Sequence, residues 1–285
     1  MSLRKPRKWL VKASHSETEK SAQVERLSKE LGICAPTVQL LLNRGCSDAY
    51  SCVDFLEKKT EQLHDPFLMK DMENAVERLD HAILKGERIL VFGDYDVDGC
   101  SAVAVLYKYL HRFCRRGLVD YYVPDRYDEG YGVSKKGIDY AADTGVSLLI
   151  ITDCGIKDVD RVEYAKSKGI DVIICDHHTP GEEIPAAVAV LDPQREDCSY
   201  PYKWLSGCGV AFKLVQAYGI KKGRPESEVY ELLDLLCVSI ASDIVPITGE
   251  NRILAYYGLK QLNSNPSLGL KTIIDTLKID KSISI

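Results

Sequence analysis

Residues 88–99 read RILVFGDYDVDG, and this stretch decides the fold. A short, continuous apolar run is followed by a glycine and then by three carboxylates, Asp94, Asp96 and Asp98. Such a run is typical of a strand that is covered on both faces of a parallel sheet. Three carboxylates so close together repel one another unless cations lie among them. The stretch therefore predicts a buried strand followed by a turn that binds cations.

The acidic turn has two other interpretations. A polar turn with an aspartate at a helix N-cap would use the same residues without any cation, and this alternative stays open. A calcium loop also begins D-x-D-x-D-G, but it requires a glutamate at its twelfth position. Counted from Asp94, that position is Val105. A helix should also precede a calcium loop, whereas a strand is predicted here, so the calcium loop is excluded.

The pattern of an apolar run followed by an acid recurs along the chain. VDYYV precedes Pro124-Asp125, VSLLIIT precedes Asp153, IDVIIC precedes Asp176 and AAVAVL precedes Asp192. Helix candidates alternate with these runs: Met72–Lys85, Cys100–Arg115, Ser134–Thr144 and Val159–Lys168. The alternation predicts an α/β fold, a parallel β-sheet flanked by helices with right-handed crossovers. Since ligands bind beyond the carboxyl ends of such strands, we expect the acids to share one edge.

The two ends of the chain differ from this central part. Residues 1–75 are polar and predict a small helical N-terminal segment, with helix ends at Gly32 and Gly45. Residues 76–262 form the predicted sheet-containing domain. Its last third is helical, with candidate helices Val210–Tyr218, Glu226–Ala241 and Arg252–Leu262.

Composition excludes some classes of protein. No apolar run approaches the roughly 20 residues of a membrane helix, and the basic stretch Met1–Lys12 lacks the apolar core of a signal peptide, so we expect a cytoplasmic protein with no membrane partner. Ten cysteines without a CxxC pair are expected to be reduced and mostly buried. The net charge of −5 argues against nucleic-acid binding unless many carboxylates hold cations, and basic clusters such as Arg4–Lys8 are typical of solvated surface.

Two further motifs carry chemistry. Asp153-Cys154-Gly155 is weak on its own, because a turn explains it better. Asp176-His177-His178 is stronger, because the chain has only six histidines and two of them are adjacent, beside an acid, at a strand end. Such a pair favours metal binding or acid–base chemistry. Many carboxylates with one or two imidazoles suit Mn²⁺ or Mg²⁺, and their number indicates two ions that share a bridging carboxylate, an arrangement used in phosphoester hydrolysis.

The motifs GDYDVDG, DCG, DHH and the aspartate of ASDIVP, in this order, resemble those of the DHH phosphoesterase superfamily and, within it, of RecJ-like exonucleases. PDRYDEGYGVS from Pro124 and SGCGVAFKL from Ser206 extend the resemblance over about residues 40–260. The resemblance implies a DHH catalytic domain at residues 76–262. It implies metal ligands at Asp94, Asp96, Asp98, Asp153, His177 and Asp243.

The resemblance also implies roles for individual residues. Asp153 would bridge the two ions, and His178 would stabilise charge at the scissile phosphate or protonate the leaving oxygen. Asp176 would either bind a metal ion or orient the histidines, and both possibilities stay open. A substrate cleft is implied at Arg126, Tyr131, Ser206, Gly207 and Gly209. The small residues that open the helix at Ser206 could let phosphate meet backbone N–H groups, with tight helix packing as the alternative.

The function implied by the resemblance is a two-metal 5′→3′ exonuclease, specific for single-stranded DNA and acting in DNA repair and recombination. Single-strand-binding protein and a helicase would be its partners. Two alternatives stay open: a DHH phosphodiesterase of short oligonucleotides or cyclic dinucleotides, and a catalytically inactive DHH scaffold. RecJ-like enzymes carry a further domain with a GGH motif, which this sequence lacks. Residues 263–285 are therefore expected to begin a connecting helix to such a domain, and weak activity on long strands is expected of this chain.

Overall fold

The structure, a computed structural model, describes residues 17–284, so the basic cluster Arg4–Lys8 lies outside the described residues. The chain divides into two compact units, Met1–Lys58 and Lys59–Ile285. The division proposed from the sequence, at residues 75 and 262, stays a prediction. No helix within the described range is long and apolar enough to cross a membrane.

The N-terminal unit contains three helices: α1 (Glu17–Leu31), α2 (Ala35–Asn43) and α3 (Ala49–Leu56). Gly32 and Gly45 follow the first two helices in left-handed backbone, as their predicted place at helix ends requires. Asp48 caps α3 by accepting the Ser51 N–H at 2.7 Å. The unit has a small core of its own, formed by Leu27, Val38, Leu41, Cys46 and Cys52.

The second unit is built on a parallel sheet of five strands, which confirms the predicted fold class. The strands are β1 (Arg88–Gly93), β2 (Val119–Tyr122), β3 (Val146–Thr152), β4 (Asp171–Cys175) and β5 (Ala189–Leu191). Their order across the sheet is β2-β1-β3-β4-β5. The second strand thus lies on one side of the first, and the later strands all lie on the other side.

Alternate residues of each strand face two separate cores. In β1, Ile89 and Val91 belong to the larger core, whereas Leu90 and Phe92 belong to the smaller one. The larger core is covered by α4 (Met72–Lys85), α5 (Val97–Leu110), α8 (Gly207–Lys221), α10 (Leu233–Ser242) and α11 (Gly249–Ser264). The smaller core is covered by α6 (Lys135–Asp143) and α7 (Val159–Ser167). Burial on both faces explains why the strands read as continuous apolar runs.

The region predicted as one helix, Glu226–Ala241, is two: α9 (Ser227–Tyr230) and α10. The reason is a competing donor. Arg112 donates to the carbonyl oxygen of Glu228, which a continuous helix would offer to the N–H of Leu232. The Leu232 N–H bonds to Val229 instead, one residue closer, and the helix is interrupted. The last helix is α12 (Leu268–Thr276), within the stretch expected to begin a connecting helix.

All ten cysteines are free, as predicted, and seven of them are buried. Cys34 and Cys100 are exposed, and Cys114 is half-buried.

Candidate metal centre

The first and third strands position the first two carboxylates. The strand order reverses at β1, because the chain proceeds from β1 to β2 on one side and then to β3 on the other. At such a reversal the loops after the two neighbouring strands diverge and leave a crevice at the carboxyl edge. Asp94 directly follows β1 and Asp153 directly follows β3. The topology therefore places both carboxylates at the crevice.

His177 lies at the middle of the acidic groups. Its Nε2 atom is 3.2 Å from Oδ1 of Asp153, 3.7 Å from Oδ2 of Asp243 and 3.8 Å from Oδ2 of Asp98. Despite these short distances, the buried Nε2 makes no hydrogen bond within the described part of the chain. An imidazole nitrogen that faces three carboxylates without bonding to any of them is oriented as a metal ligand would be.

Three groups of ligand atoms lie close enough to hold an ion. Within each group the atoms lie within 4.8 Å of one another. The groups are Asp153 with His177 and His178; Asp98 with His177 and Asp243; and Asp94 with Asp96 and Asp153. His177 and Asp153 each belong to two groups, as is expected for ligands of two neighbouring ions. Together they include all six ligands that the resemblance implies, gathered from a span of 150 residues, 94–243.

The electrostatic environment of these ligand groups favours a bound cation. Burial, together with the charges of Asp98 and Asp96, raises the pKa of Asp153 to about 10. Burial likewise raises the pKa of Asp94 and of Asp243. Oδ1 of Asp94 is buried without a hydrogen-bond partner among the described residues. Carboxylates that are crowded, buried and short of donors are stabilised in their charged form by a cation, so the residues present fit a divalent metal.

Asp153 has an unusual backbone. Its φ is +59°, in the left-handed region, which few residues other than glycine adopt. Gly155, two residues on, has φ +102°. Gly207, at the start of α8, faces Asp153 so closely that a Cβ at position 207 would lie 2.6 Å from the Cβ of Asp153. The motif DCG thus forms a tight turn that directs the Asp153 carboxylate into the crevice.

Asp176 orients His178. Its Oδ1 atom lies 2.7 Å from Nδ1 of His178, and its two oxygens also accept from the N–H groups of Ile156 and His177. Burial acts to raise the pKa of Asp176, but these hydrogen bonds outweigh burial and hold it below its ordinary value. Since an ionised carboxylate only accepts, Nδ1 carries the proton. The hydrogen bond to Asp176 also raises the pKa of His178.

The loop that contains Arg126 and Tyr131 lies beside this histidine. The hydroxyl of Tyr131 is 3.4 Å from Nε2 of His178, and the guanidinium carbon of Arg126 is 5.1 Å from the centre of the Tyr95 ring. Glu129 braces the loop, because its carboxylate accepts from the Ser134 hydroxyl at 2.5 Å and from a backbone N–H. Tyr131 is 60% exposed, so it remains accessible to a substrate.

Ser206, Gly207 and Gly209 are fully buried in the first turn of α8. The N–H groups of Gly207 and Cys208 donate to the carboxylate of Asp98, at 2.8 and 2.9 Å. The groups that were expected to meet a substrate phosphate are therefore engaged by the protein itself. Direct contact of these residues with substrate stays a prediction, to which the geometry offers the alternative argued below.

Two other acids that follow strands behave differently. Asp125 is exposed and accepts from the N–H groups of Tyr127 and Asp128, so it stabilises its own loop. Asp192 is fully buried, and burial raises its pKa to about 7. Its Oδ2 atom has no hydrogen-bond partner in the described range. The sequence marked Asp192 as a strand end, but gave no sign that the carboxyl would be buried beside the histidine pair.

Comparisons with known proteins show the family of this chain. The model of the DHH family, N-terminal domain, matches residues 88–240. The single-stranded-DNA-specific exonuclease RecJ of Bacillus subtilis is 40% identical over 252 residues, which cover 88% of this chain and 31% of that protein. RecJ of Escherichia coli is 35% identical over 223 residues, covering 74% of this chain and 38% of that protein.

Among solved structures, the crystal structure of RecJ in complex with Mn²⁺ from Thermus thermophilus is similar, with a TM-score of 0.73 and 26% identity. The similarity covers 90% of this chain and 36% of that one. The chain thus spans about a third of the length of the relatives it matches. The family model covers the sheet, the crevice and all but one of the candidate ligands, Asp243. On its sequence, its fold and the geometry of its crevice, the chain belongs to the DHH family.

Proposed function

We propose that this chain is the catalytic core of a metal-dependent exonuclease that hydrolyses phosphodiester bonds of single-stranded DNA from the 5′ end. The observation that carries the proposal is the position of His177 Nε2, which makes no hydrogen bond to the described residues and lies within 3.8 Å of three carboxylates. The similarity to RecJ proteins, which are named for activity on single-stranded DNA, supports the choice of substrate. The 5′→3′ polarity and a role in DNA repair and recombination come from the resemblance.

The proposed metal ions are two Mn²⁺ or Mg²⁺ ions. Oxygen and imidazole ligands suit these cations, and the similar Thermus thermophilus structure contains Mn²⁺. The residues that would hold them are Asp94, Asp96, Asp98, Asp153, His177 and Asp243, with Asp153 shared by two of the three groups. When bound, such a pair supplies charge neutralisation for the phosphodiester and lowers the pKa of a water molecule.

The residues around this centre have separate tasks. Asp176 fixes the protonated Nδ1 of His178, so that Nε2 faces the crevice. The raised pKa of His178 keeps a proton available at Nε2 for the oxygen that leaves phosphorus. Arg126 offers a cation to a phosphate of the strand, and Tyr131 offers a hydroxyl beside His178. Single-strand-binding protein and a helicase as partners, and a cytoplasmic location, complete the proposal on the resemblance alone.

Hydrolysis of a short, 5′-labelled single strand tests the proposal. With enzyme in excess, we expect mononucleotides to be released in the presence of Mn²⁺ and not in EDTA, and at most slowly from a duplex of the same sequence. Asp153→Asn, which tolerates the left-handed backbone at this position, and His177→Ala are expected to abolish release while circular dichroism shows an intact fold. The matched control is Asp160→Ala, which removes an exposed acid of α7 outside the three ligand groups.

Two outcomes would contradict the proposal. Undiminished release by Asp153→Asn would contradict the assigned metal centre, and release in EDTA would contradict the dependence on metal. A cyclic dinucleotide, assayed in parallel, separates the exonuclease from the alternative phosphodiesterase. Faster hydrolysis of the cyclic compound than of the single strand would favour that alternative.

A further inference from the structure

The first N–H groups of α8 are hydrogen-bonded to a carboxylate of the protein itself. Ser206 is the N-cap of this helix, and its hydroxyl accepts the N–H of Gly209 at 3.1 Å. The N–H groups of the first two residues of the helix, Gly207 and Cys208, both donate to Asp98. A helix N-terminus stabilises a negative charge, and here the charge belongs to a candidate metal ligand.

One buried hydroxyl completes the set of donors to Asp98, and a second hydroxyl donates to the first. The hydroxyl of Ser239, on α10, donates to Oδ1 of Asp98 at 2.6 Å. The oxygens of Ser206 and Ser239 lie 2.7 Å apart, a distance at which one must donate to the other. Since the single proton of Ser239 goes to Asp98, Ser206 is the donor and Ser239 the acceptor. The hydrogen bonds thus run one way, from Gly209 through both serines to Asp98.

This arrangement leaves one position on Asp98 for an ion. Oδ1 accepts from Cys208 and Ser239, which fill both of its lone pairs. Among the described residues, Oδ2 accepts only from Gly207, and it lies 3.8 Å from Nε2 of His177. The carboxylate is 1% exposed, so it is shielded from bulk solvent. Asp98 can therefore bind a cation through Oδ2 alone, with its plane fixed by the three donors.

We propose that Ser239 is a positioning residue of the metal centre, which holds Asp98 so that Oδ2 faces His177. The inference rests on the proposed function, because it requires that Asp98 binds a metal ion. It assigns to Ser206 and to the α8 N-terminus a role in orienting a ligand, in place of direct contact with a substrate phosphate. Groups that orient metal ligands typically affect metal affinity when they are removed.

Mn²⁺ binding to the 285-residue chain tests this inference independently of hydrolysis. Free Mn²⁺, measured by electron paramagnetic resonance during a titration, gives the affinity. We expect Ser239→Ala to weaken Mn²⁺ binding roughly 10- to 100-fold. Ser239→Thr retains the hydroxyl and is expected to restore most of the affinity. Ser206→Ala, which removes the next donor in the series, is expected to weaken binding by a smaller factor.

The matched control is Ser147→Ala. Ser147 also donates to a carboxylate, at 2.7 Å to Glu87, but at the opposite edge of the sheet. We expect it to lower thermal stability while Mn²⁺ affinity stays at the wild-type value, which separates positioning from a general loss of packing. If Ser239→Thr does not fold, as judged by circular dichroism, the inference is tested by the order of the Mn²⁺ affinities. Ser239→Ala is expected to bind most weakly, Ser206→Ala more tightly, and the wild-type protein most tightly.

The outcomes distinguish this inference from the proposed function. Wild-type protein that binds no Mn²⁺ would overturn the proposed function. Wild-type protein that binds Mn²⁺, with Ser239→Ala equal to it in affinity, would overturn the inference alone. A loss of affinity in Ser147→Ala as large as that in Ser239→Ala would also overturn it, because the effect would then be general.

Discussion

Nδ1 of His178 lies 2.7 Å from Oδ1 of Asp176, and the same carboxylate accepts three backbone N–H groups. Asp176→Asn replaces one acceptor oxygen with an NH₂ group, which faces donors and can satisfy none of them. We expect the hydrolysis rate to fall roughly 10²-fold or more, because His178 loses both its orientation and its raised pKa.

A matched control for Asp176→Asn is Asp139→Asn, where the acid accepts from the Tyr164 hydroxyl at 2.7 Å far from the crevice. The control is expected to keep the wild-type rate. Single-turnover hydrolysis of the short oligonucleotide measures both variants. A wild-type rate in Asp176→Asn would show that Asp176 does not orient His178 for the reaction.

Gly207→Ala should disrupt the metal centre through steric contact alone. A Cβ at position 207 would lie 2.6 Å from the Cβ of Asp153, and that residue is fixed in a tight turn. We expect Mn²⁺ affinity to fall at least tenfold, since Asp153 must move. Gly269→Ala, in α12, is the control, because a Cβ at that position would have no atom of the described residues within 4 Å beyond its chain neighbours. Equal Mn²⁺ affinities in the two variants would contradict this account.

Lys213→Met should destabilise the fold strongly. Nζ of Lys213 lies 2.6 Å from Oε1 of Glu250, and both side chains are at most 1% exposed. Removing the lysine leaves a buried charge without its counter-ion, so we expect a loss of about 3–5 kcal/mol in the free energy of unfolding. Urea denaturation measures this loss.

Lys222→Met provides the comparison for Lys213→Met. Lys222 also pairs with an acid, Asp80, at 2.9 Å, but its side chain is 32% exposed. Removing this pair should cost about 1 kcal/mol or less. Similar losses in the two variants would show that burial of the Lys213–Glu250 pair does not increase its contribution to the free energy of unfolding.

Glu87→Gln should alter how stability depends on pH. Burial acts to raise the pKa of Glu87, but hydrogen bonds from Ser147 and Arg78 outweigh it and lower the pKa. A lowered pKa in the folded state gives stability that is present above the pKa of the unfolded chain, about 4.3, and is lost as the pH falls through the folded value. The substitution should therefore cost about 1–3 kcal/mol at pH 7 and less at pH 3. A loss of equal size at both pH values, measured by urea denaturation, would contradict the assignment.

The fold was largely predictable because its determinants are local. Each strand is a continuous apolar run, and each is followed by a turn residue that marks its end. Asp94, Asp153 and Asp176 could be expected near one another, because parallel strands end at a common edge. The order of the strands was not predictable, since no local pattern states which strands are neighbours.

The contacts of Asp98 could not be predicted from the sequence. Its donors, at positions 207, 208 and 239, are more than 100 residues away, and serine and glycine carry no signal of such a partner. The Lys213–Glu250 pair was easier to anticipate from the sequence. The helix stretch VAFKLVQAY is apolar around its lysine, and a helix buried on all sides must supply a counter-ion for that lysine.

The left-handed backbone of Asp153 restricts which amino acids can occupy that position. Asparagine, aspartate and glycine tolerate this conformation, and branched or bulky side chains do not. Of the three, aspartate alone carries a negative charge. Most substitutions at this site are therefore expected to destabilise the fold as well as to lower catalytic activity. The few replacements that fold remove one carboxylate from the crevice. Variants that lose activity but keep the native turn should consequently be found among a very small set of side chains.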